Sequence, residues 1–97
     1  MSMRRASARS PAAAPDRAVA DVVLFGRPGC HLCDEARFVL ERVRRGHPFA
    51  LAERDIEADE ALLRAYLERI PVVTIDGVER FELFVDESEL IAAVDGV

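Results

Sequence analysis

One tetrapeptide constrains this chain more than any other feature: Cys30-His31-Leu32-Cys33. It follows an apolar run, Val22-Val23-Leu24-Phe25, and a turn, Gly26-Arg27-Pro28-Gly29. It opens a segment whose apolar positions, Leu32, Ala36, Val39, Leu40 and Val43, fall at helical spacing. A Cys-x-x-Cys at a strand-to-helix junction points to thiol–disulfide chemistry. The start of a helix offers unpaired N–H groups and a partial positive charge, and both stabilise a thiolate. Spacing i, i+3 puts the two sulfurs on one face of the first turn, within bridging reach.

Size and composition narrow the use of that pair. The 97 residues, 51% of them hydrophobic, fit one modest core and one domain. The chain has only two cysteines. A bridge between them closes a tiny loop and hardly constrains the unfolded chain, and a secreted disulfide scaffold uses more cysteines. A cycling, catalytic pair in a reducing cytoplasm fits better. No run of apolar residues is long enough to span a membrane, so no membrane partner is expected. The net charge is −5. The first twenty residues carry four arginines and one aspartate, which leaves the remainder strongly acidic. An acidic body argues against nucleic-acid binding.

Residues 1–20, rich in Ala, Ser, Pro and Arg, have the composition of a disordered extension. Arg4-Arg5 lacks the apolar stretch that an export signal needs. The domain is placed at 21–97. Strands are expected at about 22–26, 49–55, 71–75 and 78–84, and helices at about 31–45, 59–68 and 87–95. The first strand is expected to be buried on both faces. Gly46-His47-Pro48 ends the first helix. Asp76-Gly77 is a two-residue hairpin signal, because glycine tolerates the positive φ of a type I′ turn. Asp86 caps the last helix. The result is an α/β chain of order β-α-β-α-β-β-α around one sheet.

That order, with Phe25-Gly26-Arg27-Pro28-Gly29-Cys30-His31-Leu32-Cys33, Arg69-Ile70-Pro71-Val72-Val73 and Ile75-Asp76-Gly77, resembles the thioredoxin fold and most of all the small glutaredoxin-like proteins. The similarity covers about residues 21–95. It implies a four-stranded mixed sheet of order 2-1-3-4, with strand 3 antiparallel and helices flanking it. It also implies a cis proline at Pro71 facing the cysteines. Ile70 would then offer its N–H and C=O to an extended substrate segment.

The resemblance implies a dithiol–disulfide oxidoreductase. Cys30 is the expected nucleophile, and Cys33, one turn in and more buried, the expected resolving thiol. Arg27 is the nearest candidate cation for tuning the thiolate and for binding substrate. His31 is a second tuning candidate, while Asp34 and Glu35 oppose thiolate formation. Arg69 could pair with a substrate carboxylate. The substrate is a protein or small-thiol disulfide, and the electron donor is a reductase or a low-molecular-weight thiol. No tightly bound cofactor and no protein metal site are expected. Glutaredoxins usually carry a Gly-Gly pair after strand 4. Here the segment reads Leu83-Phe84-Val85-Asp86, which argues against glutathione. Tyr66, Phe81 and Phe84 are read as packing residues, with Phe84 also a candidate to border the site, and His47 as a surface loop residue away from it. Two other readings remain. The pair could carry a metal or iron–sulfur cluster, given two chains or added thiols. The domain could also be a redox sensor or binding module of low turnover.

Overall fold

A computed structural model describes residues 19–95. The expected extension at 1–20 lies outside them, apart from its last two residues. Ala20 already belongs to the first strand and is only 1% exposed, so that strand starts two residues before the expected position 22.

The elements follow in the expected order: β1 (Ala20–Gly26), α1 (His31–Arg44), β2 (Phe49–Asp55), a 3-10 turn (Ile56–Ala58), α2 (Glu60–Tyr66), β3 (Val72–Ile75), β4 (Val78–Glu82) and α3 (Glu87–Asp95). The sheet runs β2-β1-β3-β4. β1 pairs parallel with β2, while β3 pairs antiparallel with both β1 and β4. This is the order and orientation that the resemblance implies.

The main core cluster lies on one face of the sheet. Strand alternation points Ala20, Val22 and Leu24 of β1, and Val73 and Ile75 of β3, the same way. Ala36, Leu40 and Val43 of α1 and Leu90 and Val94 of α3 join them in one buried cluster. Full burial of a leucine such as Leu24, Leu40 or Leu90 contributes about 1.5–3 kcal/mol. Charges complete α1: Asp34 stands in its first turn, and Arg42 and Arg44 stand in its last, matching the helix dipole. The N–H groups of Gly46 and His47 then close the end on Val43 O.

The opposite face is covered more thinly. Val23 and Phe25 are half-buried, so β1 is not buried on both faces as its apolar run suggests. α2 explains this, since none of its seven residues is fully buried. Its contribution is the Tyr66 ring, 5.0 Å from that of Phe25.

Two element ends differ from expectation. α2 stops at Tyr66 because the chain must turn through Leu67–Arg69 to reach Ile70-Pro71. β4 stops at Glu82 because Leu83 adopts φ 75°, outside the range of a strand. The 3-10 turn carries no periodic signal. Its start is fixed by the Asp55 side chain, which accepts from Glu57 N at 2.8 Å, and by the buried Ile56. The Asp76-Gly77 turn has φ 52° and 85°, as a type I′ hairpin demands. It is tied to β1 by reciprocal bonds: Asp21 N donates to Asp76 Oδ1 at 2.9 Å, and Asp76 N donates to Asp21 O at 2.8 Å.

Candidate active site: the Cys30–Cys33 disulfide

The site forms where β1 ends and α1 begins. Gly29, at φ 79°, turns the chain from strand to helix in a conformation that glycine adopts without steric cost. Cys30 follows as the N-cap, with extended backbone. Its sulfur is the cap acceptor: Cys33 N donates to Cys30 Sγ at 3.1 Å. Cys30 O accepts from Asp34 N at 3.1 Å, the first bond of the helix. The two cysteines form a disulfide across a Cα–Cα distance of 5.2 Å. They are unequally accessible, as expected: Cys33 is 1% exposed and Cys30 is half-buried.

The second arm of the site arrives from far along the chain. β1 and β3 are antiparallel, with Phe25 opposite Val72, so the start of β3 lies beside the end of β1. Pro71 is buried there, and the Ile70–Pro71 peptide is cis. Leu83 N bonds both Arg69 O, at 3.2 Å, and Pro71 O, at 2.8 Å. Among the described residues, these anchors flank Ile70 and leave its own N–H and C=O out.

The charged candidates are placed as follows. Arg27 is exposed and reaches Glu57 Oε2 at 3.4 Å. His31 is the most open, its side chain 82% exposed, with Nε2 2.9 Å from Glu35 Oε2, one turn along. Asp34 pairs with Arg37, whose Nε also contacts Glu53 Oε2 at 2.7 Å. Those carboxylates, Glu53 first, raise the Arg37 pKa further above its already high value. Arg69 differs most from its expected role. Its guanidinium is already bound to Glu82 Oε1, at 2.8 Å, and to Glu79. Those two bonds raise its pKa, and Arg69 in turn holds the Glu79 carboxyl below the usual range. An incoming carboxylate would have to displace them.

The remaining residues divide between packing and surface. Tyr66 packs on Phe25, and its hydroxyl donates to Glu79 Oε2 at 3.1 Å. Burial first, then that carboxylate, raises its pKa. Phe81 packs partly against the core. Phe84 does not: it is 68% exposed, a correction to its reading as a packing residue, because the turn at Leu83 carries it off the sheet. Asp86 caps α3, accepting from Glu89 N at 2.9 Å. His47 pairs with Asp95 at 2.9 Å, at the far end of α1.

Two residues at the site have a conformation or a fit that escaped the sequence reading. One is Leu83, whose backbone holds the left-handed conformation while its side chain stays 45% exposed. The other is Gly26, where a Cβ would lie 2.9 Å from Cys33 Sγ. The alternation of Val22 and Leu24 places residue 26 on the helix-facing side, and that signal could have found it. Among the described residues, no three His, Cys, Asp or Glu side chains gather as a metal site, and no helix is long and apolar enough to cross a membrane.

Comparison with solved structures matches this arrangement. The chain is similar to protein Ne2328 from Nitrosomonas europaea, with 31% identity over 78% of this chain and 92% of that one, and a TM-score of 0.70. It is also similar to protein XcR50 from X. campestris, with 34% identity over 78% of this chain and 97% of that one, and a TM-score of 0.64. A mutant thioredoxin from Halobacterium salinarum shares the fold at 23% identity over 79% of this chain and 73% of that one, with a TM-score of 0.60. No curated protein matches the chain. The model of the glutaredoxin-like domain (DUF836) matches residues 21–95, from β1 to the end of α3. With its disulfide at the head of α1 and a thioredoxin-like sheet beneath, the chain belongs to the glutaredoxin-like domain family.

Proposed function

We propose that this protein is a thiol–disulfide oxidoreductase in which Cys30 attacks and Cys33 resolves. The observation that carries the reading is the Cys33 N–H directed at Cys30 Sγ from the first turn of α1. A hydrogen-bond donor and a helix N-terminus both favour negative charge on that sulfur. The unequal exposure of the two cysteines supports this order of attack.

In the reaction, the Cys30 thiolate attacks one sulfur of a substrate disulfide. A mixed disulfide forms and the other substrate sulfur leaves as a thiolate. Cys33, deprotonated in this step, then attacks Cys30 Sγ. The Cys30–Cys33 bond forms and the second substrate sulfur leaves. The substrate gains two electrons and, once its thiolates protonate, two protons. A low-molecular-weight thiol or a reductase returns the pair to the dithiol. Ile70, whose backbone groups stay outside the local bonds, is the proposed contact for an extended substrate segment beside Pro71. Arg27 and His31 are proposed to bias the Cys30 thiolate by their charge. Arg69 is proposed to meet a substrate carboxylate only by exchanging its glutamates.

The test is turnover of a protein disulfide such as insulin with dithiothreitol as reductant. Cys30→Ser is expected to abolish catalysis. Cys33→Ser is expected to accumulate a covalent adduct with the substrate, visible by mass and released by excess reductant. Full turnover by Cys30→Ser would refute the assignment.

A further inference from the structure

We infer that Gly26 is a positioning residue for the cysteine pair: its missing side chain leaves the space that the Cys33 sulfur needs while bonded to Cys30. This rests on the reading that the pair cycles between disulfide and dithiol. Gly26 is the last residue of β1 and lies in register with Asp55 of β2. Its backbone does not require glycine, since the positive-φ glycines are Gly29 and Gly77. Space does require it. Residue 26 faces the same way as Val22 and Leu24, beneath the first turn of α1. A Cβ there would stand 2.9 Å from Cys33 Sγ and 3.1 Å from Cys33 Cβ. Packed carbon atoms rest about 3.5–4.0 Å apart, and sulfur is larger.

The obstruction differs between the two redox states. In the disulfide, Cys33 Sγ is bonded to Cys30 Sγ and cannot turn away. Reduction adds two electrons and two protons, breaks that bond and leaves two thiols. Rotation about χ1 can then carry Cys33 Sγ to another staggered position. A methyl group at residue 26 therefore penalises the disulfide more than the dithiol. Bare space at the end of β1 keeps the resolving sulfur both buried and within reach of Cys30.

The experiment equilibrates the wild type, Gly26→Ala and Gly46→Ala in buffers of reduced and oxidised glutathione. Alkylation then quenches the thiols, and mass reads the fraction oxidised. Gly46→Ala is the control, because a Cβ there meets nothing within 4 Å and its φ is outside the left-handed region. Gly26→Ala is expected to shift the equilibrium toward the dithiol on the order of tenfold, a rise of about 30 mV, while Gly46→Ala follows the wild type. Urea unfolding of each redox form gives a second readout: Gly26→Ala should destabilise the oxidised form more than the reduced one. A residue needed only for folding would lower both forms alike and leave the potential unchanged. A Gly26→Ala titration that coincides with the wild type overturns the inference and leaves the cycling intact. A wild type with no reversible transition overturns the cycling, and the inference with it. If Gly26→Ala does not fold, the double variant Gly26→Ala/Cys33→Ala decides. Recovery of folding identifies the sulfur as the obstacle, and failure to recover overturns the inference.

Discussion

Leu83 holds a backbone conformation that leucine disfavours. Left-handed φ costs a side-chain-bearing residue about 1–2 kcal/mol, and a half-exposed side chain recovers little of that through burial. The position is fixed by its N–H, which bridges the carbonyls on either side of Ile70. Leu83→Gly should therefore stabilise the fold, by up to about 1 kcal/mol after the extra freedom of an unfolded glycine is subtracted. Urea unfolding would show it as a higher midpoint at unchanged slope, and a lower midpoint would contradict the strain. The residue itself carries no signal for this conformation, because a positive φ is normally announced by Gly or Asn. Asp86 was legible for the converse reason, as its short carboxylate just before a helix has one common use. Asp86→Ala should cost about 1 kcal/mol, read in the same experiment.

Among the elements, α1 was readable from its period alone, and its Leu40 is fully buried between the sheet and α3. Leu40→Ala should destabilise by about 2–5 kcal/mol, the range for a buried leucine replaced by a cavity. The β3–β4 hairpin was readable from Asp76-Gly77, but its attachment to the segment before Pro71 was not. Besides the Leu83 N–H bonds, that attachment is ionic: Arg69 holds Glu79 and Glu82, which meet it through the register of β4. Arg69 lowers the pKa of Glu79, so the folded state favours its carboxylate. The resulting stability is fully present above the ordinary carboxyl range and is lost as pH falls through the lowered value. An NMR titration of the Glu79 carboxyl should therefore fall below that of an ordinary glutamate, and Arg69→Met should return it upward. An unchanged titration in Arg69→Met would assign the shift elsewhere. The attachment also explains why α2 ends early, a boundary set by tertiary structure and invisible to a periodic pattern.

For the molecule as a whole, the sheet joins two distant segments into one site. Cys30 and Cys33 follow β1, and Ile70-Pro71 precedes β3. The antiparallel pairing of Phe25 with Val72 brings them side by side. Hydrophobic pattern alone identifies the strands but not their order, and the order was available only through the resemblance. Strand alternation tells which way Gly26 faces, but not how close it comes to Cys33, since that depends on how closely a helix settles on a strand. In the proposed chemistry this settled geometry makes Cys30 the attacking sulfur and Cys33 the resolving one. Site-resolved alkylation decides between the two sulfurs: the reduced protein is treated with iodoacetamide at pH 7, and peptide masses are followed over time. Cys30 should be modified first, on the order of tenfold faster than the buried Cys33. Equal rates, or modification of Cys33 first, would contradict the assignment.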